Sequence, residues 1–426
     1  MDSGNTAWVL VSAALVLLMT PGLAFFYGGM VRSKNVLGML MQNFFCIGLV
    51  SVLWALVVFS LAFGEDLGGG LLGGFDFVGL KDLGVGDAAA AAENVPGLAL
   101  TVPPLVFAAF QLMFAIITPA LITGAVADRM KFAAWAVFVA LWLLVVYGPV
   151  AHWVFSPEGW LFKRGALDFA GGTVVHINAG IAALALVMVL GRRKGWPGDA
   201  MAPHSLPFTL LGTGILWFGW FGFNAGSALA ADGIAAQALV NTHMAAAAAM
   251  LGWLLVERIK GGHATTLGAA SGAVAGLVAI TPCAGFVDVV PSIIIGFLAG
   301  AICFAAIQLK FKFGYDDALD VVGIHLVGGI LGSVLLGVFA DSGVNSLAAD
   351  GLFNGGGSGL LGKQVLAVAA TLVWSFVATF VLAKIIDATI GLRVTSDQEA
   401  EGLDVTQHAE AAYAYGDFGS MGRLGS

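Results

Sequence analysis

Two histidines lie within long apolar stretches of this sequence, and an aspartate precedes each of them. His176 follows Asp168 in D-F-A-G-G-T-V-V-H-I-N-A-G, and His325 follows Asp320 in D-V-V-G-I-H-L-V-G-G. A neutral imidazole can donate and accept hydrogen bonds, and its unperturbed pKa of about 6.5 also allows it to carry protons. Either histidine alone could be a core residue bonded to a backbone carbonyl, but two in matching positions favour a functional pair.

The elements that hold this pair belong to a very apolar chain. The 426 residues are 59% hydrophobic and 10% charged, with a mean hydropathy of +0.95. Such a chain lacks the polar surface of a water-soluble protein, which indicates lipid as the solvent. The net charge of -8 is spread over loops, and we expect no nucleic-acid partner.

Eleven apolar runs are long enough to cross a bilayer, which takes about 20 residues. They are continuously apolar rather than alternating, so they predict α-helices and exclude a β-barrel. The runs lie near residues 7–29, 37–63, 101–127, 132–152, 171–190, 206–226, 235–256, 264–283, 289–309, 318–340 and 363–388.

The positive charges orient these spans. The first run lacks a basic start and a cleavage site, so we expect a helix with an outside N-terminus rather than a signal peptide. Eleven spans then place the C-terminus in the cytoplasm. In this orientation all but four of the 18 Lys and Arg residues lie on the cytoplasmic side, the exceptions being Lys81, Lys163, Arg164 and Lys363. Multi-pass membrane proteins show the same bias.

The two Asp-then-His stretches would open the fifth and the tenth span. If these helices enter from opposite faces, residues 7–190 and 206–340 form an inverted repeat with the histidines at its interface. The prediction is an all-α polytopic membrane protein with eleven transmembrane helices, an inverted 5+5 helix repeat plus an eleventh helix at 363–388. Residues 1–390 would form the transmembrane domain and residues 391–426 a cytoplasmic tail that docks on the inner face.

The acidic residues near the histidines have structural interpretations. Asp168 and Asp320 would cap the two histidine-bearing helices, since a helix N-terminus favours a carboxylate. The Asp316-Asp317 pair would be a solvated helix start. The H-x-x-x-G pattern that begins at each histidine would allow neighbouring helices to pack closely.

The three cysteines, Cys46, Cys283 and Cys303, lie in apolar runs without metal-ligand spacing. They predict buried packing residues rather than a disulfide framework or a zinc site. We therefore expect no metal, no cofactor and no enzymatic activity.

Five segments match the motifs of one known family, in the same order along the chain. They are T-P-G-L-A-F-F-Y-G-G-M-V-R-S-K-N at 20–35, A-D-R-M-K-F at 127–132, D-F-A-G-G-T-V-V-H-I-N-A at 168–179, G-W-F-G-F-N-A-G-S-A at 219–228 and G-L-R-V-T-S-D-Q-E-A-E-G-L-D-V at 391–405. The chain thus resembles the ammonium transporter (Amt/Mep/Rh) family, in its prokaryotic Amt form. The resemblance implies a homotrimer in the lipid bilayer of the cytoplasmic membrane, with one narrow pore in each subunit.

Carried over position by position, the resemblance implies an outer vestibule above a pore that contains both histidines. Ser227 would accept a hydrogen bond from the ammonium ion in the vestibule, beside Phe114, and Phe223 would be the ring stacked beneath the cation. Phe110 and Gln111 would belong to the vestibule rim. Without the resemblance, packing would be the default interpretation of these rings.

One position departs from the family pattern. The family has a motif like A-H-W-V-W where this chain reads A-H-W-V-F, so Phe155 occupies the place of a vestibule tryptophan. Trp160 follows in a longer loop and would have to fold back to replace that ring, while tryptophan is common at membrane interfaces in any case. The sequence leaves open which of the two rings faces the vestibule.

The implied function is transport of ammonium, with methylammonium as an analogue. The ion would bind at the vestibule, lose a proton and pass the histidines as ammonia, because an apolar lumen disfavours the charge. Whether net charge crosses is left open. The resemblance also implies a cytosolic PII-type protein that blocks the pore from inside.

Two other classes of function are compatible with the sequence. A membrane enzyme or haem protein could use the two histidines as ligands, but neither a third ligand nor a supporting carboxylate pattern stands near them. An ammonium sensor would have to signal through the tail at 391–426, because no signalling domain is attached.

Overall fold

The computed structural model describes residues 1–83 and 95–413. Within these residues the chain is helical, and it has isolated β-bridges but no β-strand. Ten helices are long and apolar enough to cross a membrane, and α8 is a shorter apolar helix. The helices are α1 (Ser3–Met30), α2 (Ser33–Phe63), α3 (Pro104–Val126), α4 (Phe132–Lys163), α5 (Gly172–Leu190), α6 (Leu206–Ala228), α7 (Gly233–Gly261), α8 (Thr266–Ile280), α9 (Val289–Phe313), α10 (Val322–Phe339) and α11 (Gly359–Thr389).

Each predicted apolar run overlaps one of these helices, which confirms the all-α class with eleven helices in the described residues. Several boundaries differ from the prediction, with α4 extending to Lys163 rather than ending near 152, and two of the differences have a local cause. The helix α8 ends at Ile280 rather than near 283, because the residue that precedes Pro282 is disfavoured in a helix. The helix α10 begins at Val322 rather than near 318, since Asp320 has a left-handed backbone with φ of 65°.

Polar side chains mark where the membrane helices begin. Asp2, Ser205, Asp232 and Thr265 each accept a hydrogen bond from a backbone N–H in the first turn of α1, α6, α7 and α8. The first N–H groups of a helix have no partner within it, and such a cap stabilises a helix by about 1 kcal/mol. Capping residues and apolar runs together therefore set the helix register.

The helices α5 and α10 start at opposite ends of the bundle. The α5 start lies beside the end of α8, where the Phe169 N–H donates to the Pro282 carbonyl. The α10 start lies beside the end of α3, where the Leu319 N–H donates to the Gly124 carbonyl. We call the first of these the Ser227 end, because α6 also ends there, and the second the tail end.

The C-terminal segment packs against the tail end. Residues Met130 and Arg393 form an antiparallel β-bridge, and the Lys131 N–H donates to the Leu392 carbonyl. Two short helices follow, α12 (Ser396–Glu401) and α13 (Leu403–His408). Residues 414–426 of the predicted tail lie outside the described residues.

Candidate functional site

The two histidines meet in the centre of the bundle. Their Nδ1 atoms are 3.3 Å apart, and the imidazole planes are inclined by 18°. Both side chains are buried. A hydrogen bond between two Nδ1 atoms needs a proton on only one of them, so one neutral ring has its own proton on Nδ1 and the other on Nε2. The pair can then offer its surroundings one N–H donor and one nitrogen lone pair.

Two glycines allow this approach of α5 and α10. A Cβ atom on Gly180 would lie 2.5 Å from the backbone nitrogen of Leu326, and one on Gly329 would lie 3.0 Å from the Ile177 side chain. Each glycine is the last residue of an H-x-x-x-G pattern, so the predicted close packing is confirmed. Both histidines also lie in π-helical turns, Gly172–Ile177 and Val322–Leu326, which often occur at functional sites.

Aromatic rings cover the histidine pair on the side of the Ser227 end. The Phe223 ring is 6.0 Å from the His176 ring and 4.4 Å from the Phe114 ring. Phe110 lies edge-on against Phe114 at 4.9 Å. These three phenylalanines are buried, with at most 1% of their surface exposed. The rings therefore form a continuous row of contacts from Phe110 through Phe114 and Phe223 to His176.

A small cavity lies beside the histidines. Its volume is about 10 Å³, which is near the minimum space for one water molecule. The lining consists of apolar side chains and the two imidazoles: Met19, Leu23, Ile117, Leu121, Val175, His176, Leu216, Trp220, Phe223, Val274 and His325. His176 Nε2 is buried and has no hydrogen-bond partner among the described residues. The site can therefore offer a water-sized neutral molecule a polar contact in apolar surroundings.

Ser227 lies where α6 ends, one turn beyond Phe223. Its hydroxyl donates to the Phe223 carbonyl at 2.8 Å, which leaves the oxygen lone pairs able to accept. Ser227 and Gln111 are both partly buried. Phe223 thus links the predicted vestibule residues to the histidines. It accepts the Ser227 hydrogen bond through its carbonyl, and its ring contacts both Phe114, which in turn contacts Phe110, and His176.

The two remaining vestibule candidates lie in the last part of α4. Regular helix ends at Phe155, and a turn leads to a single helical turn, Trp160–Lys163. The Trp160 ring packs on Trp153 at 5.8 Å, and the Arg164 guanidinium lies 5.7 Å from its centroid. Both Phe155 and Trp160 are partly buried. Both residues stay candidates for the ring that replaces the tryptophan of the family motif.

Asp168 caps the helix that carries His176. One carboxylate oxygen accepts from the N–H groups of Gly171 and Gly172, and the other accepts from Thr173 and Val174, at distances of 2.7–3.2 Å. Four bonds to one carboxylate hold the helix start rigidly. The geometry is that of the helix cap that the sequence predicts.

In the helix that carries His325, α10, the capping residue is Asp317. The predictions that Asp320 is the cap and that Asp316 and Asp317 are a solvated helix start were therefore wrong. Asp317 accepts from the N–H groups of Val321 and Val322 at 3.1 and 2.7 Å, whereas Asp320 binds Lys310 Nζ at 2.6 Å. Asp316 and Asp317 are each only 1% exposed, so they are not a solvated helix start. Asp317 precedes His325 by eight residues, the same spacing as Asp168 and His176. A search for an aspartate at the same distance before His325 as Asp168 is before His176 would have identified Asp317 as the cap.

Burial changes the ionisation of Asp317. Loss of water and the neighbouring Asp320 raise its pKa to about 6, although Lys310 and the two N–H groups oppose this. The corresponding carboxylate Asp168 has no such charged neighbours in its hydrogen bonds. The two caps thus share a geometry but differ in their electrostatic surroundings.

A buried charge cluster lies at the tail end. The Arg193 guanidinium donates to both carboxylate oxygens of Asp316, at 2.9 and 2.8 Å, and Arg129 Nη2 donates to the Asp316 carbonyl at 2.6 Å. Asp128 pairs with Arg32 at 3.0 Å. Burial opposes ionisation of Asp316, but Arg193 and Arg129 hold its pKa below the usual range. This cluster joins the segments that follow α3, α5 and α9.

The tail is attached to this cluster through Glu399. Its carboxylate is 2% exposed, accepts from the Lys194 N–H at 2.6 Å and pairs with Arg393 at 2.6 Å. Farther along, the Gly38 N–H at the start of α2 donates to Asp404 Oδ1 at 2.8 Å. Side chains of the tail therefore satisfy backbone groups of the bundle, which predicts that the docked tail is ordered by specific bonds.

Sequence reasoning missed two features of the site. Trp220 stacks on His176 at 5.5 Å, and its indole N–H donates to Thr281. Its position one turn before Phe223 on α6 was the available signal. The role of Arg129 was also missed, although a charged residue between two apolar runs at 127–132 marked it as a candidate for pairing.

The fold and the site together define a class of protein. In the part of the chain that the structure describes, eleven apolar helices enclose a small apolar cavity beside a buried histidine pair. Aromatic rings cover the pair, and the Ser227 hydroxyl lies next to these rings. These features are those of a multi-pass membrane protein.

Comparison with known proteins identifies the family within this class. Residues 7–413 match the model of the Ammonium Transporter Family, and the chain belongs to this family. The ammonium transporter of Mycobacterium bovis is 55% identical over 434 aligned residues, covering 97% of this chain and 91% of that protein. The relatives are named transporters, not enzymes.

Solved structures agree with this assignment. The structure of Candida albicans Mep2 has a TM-score of 0.86 at 35% identity, covering 93% of this chain and 88% of that one. A structure named Sensor Amt Protein has a TM-score of 0.86 at 30% identity, covering 95% and 98% of the two chains. Both structures are thus similar to this chain over more than nine-tenths of its length.

Proposed function

We propose that this protein transports ammonium across the cytoplasmic membrane through the passage that runs from Ser227 to the histidine pair. The observation that carries the proposal is the contact of His176 and His325 inside an apolar cavity, behind the rings of Phe114 and Phe223. The family match supports the choice of substrate, since the relatives are named ammonium transporters.

Recruitment at the mouth follows from the chemistry of the ion. Ammonium has four N–H donors and one positive charge. The Ser227 oxygen has free lone pairs because its own proton is bound to the Phe223 carbonyl. A neighbouring ring face adds a cation–π attraction of about 0.5–2 kcal/mol. Such modest binding concentrates the ion without trapping it.

Deprotonation is proposed to precede passage. The buried phenylalanine rings and the apolar cavity offer a bare cation no compensation for its lost water, whereas neutral ammonia is about the size of a water molecule. Inside, the histidine pair presents one donor and one acceptor, so ammonia can exchange hydrogen bonds there. The imidazoles are also proton carriers, and the route of the released proton is left to experiment.

The orientation and the assembly are parts of the same proposal. The distribution of Lys and Arg favours the Ser227 end outside and the tail inside. We propose a homotrimer with one pore in each subunit. A PII-type protein that binds on the tail end is proposed as the cytosolic partner.

Flux measured on pure protein in liposomes tests the proposal. We expect ammonium and methylammonium to enter faster than in empty liposomes, with strong discrimination against potassium. Protein in which both His176 and His325 are replaced by alanine is the matched control. Flux no higher than in empty liposomes would contradict the proposal.

An ammonium sensor that signals through its tail is the second candidate. It is favoured by the similarity to the structure named Sensor Amt Protein and by the specific docking of residues 391–413. A pull-down with a PII-type protein, at low and high ammonium, tests for a signalling partner. If the PII-type protein were captured in an ammonium-dependent way and the liposomes showed no flux, the function would be sensing rather than transport.

A further inference from the structure

A hydrogen-bond mismatch at the Ser227 end concerns His152, a residue that the proposed transport path does not use. Its side chain is fully buried near the end of the regular part of α4. The Nδ1 atom lies 3.0 Å from the carbonyl oxygen of Ala62. A carbonyl oxygen can only accept, so Nδ1 must carry a proton.

The other ring nitrogen faces a carboxylate. His152 Nε2 is 3.5 Å from Asp66 Oδ1, and neither atom has a hydrogen-bond partner among the described residues. A neutral imidazole with its proton on Nδ1 has a lone pair on Nε2, so two acceptors would then face each other. A second proton, on Nε2, turns this repulsion into an imidazolium–carboxylate pair.

The carboxylate is unable to supply that proton near neutral pH. Although partial burial opposes it, the N–H groups of Gly70 and Gly68 and the neighbouring His152 hold the pKa of Asp66 below its usual value. Its second oxygen accepts from the Gly70 N–H at 2.9 Å. Asp66 is therefore ionised, and the proton between the two groups belongs to His152.

The ion pair joins two segments, which we name the Asp66 turn (residues 66–73) and the mouth segment (residues 152–160). The Asp66 N–H donates to Glu158 Oε2, and the Trp153 indole N–H donates to the Leu71 carbonyl at 2.7 Å. The Trp160 N–H donates to the Gly70 carbonyl at 3.1 Å. The mouth segment also contains Phe155, so the turn holds both candidate vestibule rings.

The charged groups around His152 have one dominant sign. The Asp66 turn contributes Asp66, and the mouth segment contributes Glu158, whose carboxylate is bound to the Asp66 N–H. The nearest positive group in these contacts, Arg164, lies against the Trp160 ring instead. The carboxylate that faces His152 Nε2 is therefore not paired with a basic side chain in these contacts.

We propose that His152 is a positioning residue that is protonated when the Asp66 turn is docked, so that external protons control how firmly the mouth segment is held. Docking then binds a proton, and it weakens as the pH rises. One linked proton changes the docking equilibrium by at most about tenfold per pH unit. The effect on transport rests on the proposed function, but the docking itself does not.

Replacement of Asp66 by asparagine separates this inference from a purely structural role. The Asn side chain can accept from the Gly70 N–H and donate its amide proton to the lone pair of neutral His152. Asp66→Asn should therefore dock without a second proton. His152→Gln, whose amide can donate to Asp66, is a second pH-independent variant. Asp76→Asn is the matched control, because Asp76 lies in the same loop and accepts from the Glu65 N–H.

Hydrogen exchange of the Asp66 turn, followed by mass spectrometry on the full-length protein, is the primary measurement. After correction for intrinsic exchange, we expect wild type and Asp76→Asn to lose protection at least about fivefold between pH 6 and pH 8, because docking is linked to the binding of one proton. Protection in Asp66→Asn should stay constant. A flat wild-type profile, or the same slope in wild type, Asp66→Asn and His152→Gln, would overturn the inference.

Flux on the same samples distinguishes the two proposals. We expect the apparent KM for methylammonium, corrected for its ionised fraction, to rise with pH in wild type and not in Asp66→Asn. Loss of protection with pH but no flux in any sample would reject transport and retain the ion pair. Normal flux with pH-independent protection in wild type would retain the transport proposal and reject the ion pair.

Discussion

The helix starts that carry His176 and His325 differ in what surrounds their caps. Asp168 and Asp317 both stand eight residues before their histidine and both accept from first-turn N–H groups. At the Ser227 end, Asp168 makes four bonds to its own helix start. At the tail end, Asp317 adjoins the Lys310–Asp320 pair and follows the buried Asp316 cluster.

The two helix starts share a local feature and differ in a tertiary one. The local feature is that a carboxylate fixes the register of a histidine-bearing helix, and it operates at both ends. The tertiary difference is that only the tail end connects its cap to charges on other segments. Substitution of the capping aspartate should therefore change only its own helix start at the Ser227 end. At the tail end, substitution should also weaken the contacts between neighbouring segments.

The largest expected effect is on stability at the tail end. Asp316→Ala leaves the buried Arg193 and Arg129 without their carboxylate, and breaking a buried ion pair costs about 3–5 kcal/mol. Asp320→Ala is the control, because the Lys310–Asp320 pair is partly exposed and should contribute about 1 kcal/mol or less. Thermal unfolding in detergent measures both. Equal decreases of Tm in Asp316→Ala and Asp320→Ala would show that the buried cluster contributes no more stability than the partly exposed pair.

The next effect is the pH dependence of Asp317. Its raised pKa of about 6 means that the folded protein binds this proton more tightly than the unfolded chain does. The contribution of Asp317 to stability should thus be greatest below about pH 4 and fall by on the order of 1–3 kcal/mol as the pH approaches about 6. In Asp317→Asn this loss should disappear from the unfolding profile. A wild-type slope that survives the substitution would assign the dependence to another group.

The two histidines should differ in their effect on transport. His176 contacts the rings of Trp220, Phe223 and His325, whereas the ring contact described for His325 is to His176. We expect His176→Ala to change the ammonium-to-potassium flux ratio by about tenfold, or about 1.4 kcal/mol, and His325→Ala by less. Neither change should unfold the assembly. Unchanged flux and selectivity in both variants would remove the histidine pair from the mechanism.

Release of the tail should have a smaller effect. Glu399→Ala removes the partner of Arg393 and of the Lys194 N–H, so residues 391–405 should become sensitive to trypsin. We expect flux to change by about two- to threefold, that is by less than about 1 kcal/mol, with assembly intact. The exposed Glu401 is the matched control. A protease-sensitive tail with wild-type flux would show that docking is not regulatory.

The smallest effect concerns the mouth at the Ser227 end. Phe155→Trp should raise the apparent affinity for ammonium by about two- to fivefold, since indole has the stronger cation–π attraction. Trp160→Ala should do almost nothing if Phe155 supplies the ring face. The concentration dependence of flux measures both. A drop of up to about tenfold in Trp160→Ala would assign the ring to Trp160 instead, and no change in either variant would exclude both rings from ion contact.

The sequence alone determined the number and type of spans and the position of both histidines. Runs of apolar residues predict membrane helices because lipid leaves backbone groups no other partner. The histidine pair and its glycines were visible because few polar residues interrupt these runs. The identity of the second cap was mispredicted, since nearness in sequence favoured Asp320 over Asp317, although only Asp317 repeats the spacing of Asp168.

Only the tertiary structure decided which charges are buried and which groups touch. Asp316 and Asp317 look like a solvated acidic pair in the sequence, but both are buried, and two other parts of the chain supply Arg193 and Arg129. The stacking of Trp220 on His176 and the facing of His152 and Asp66 arise in the same way. Local periodicity sets which face of a helix is apolar, whereas the partner of a polar group is chosen by contacts between residues far apart in the chain.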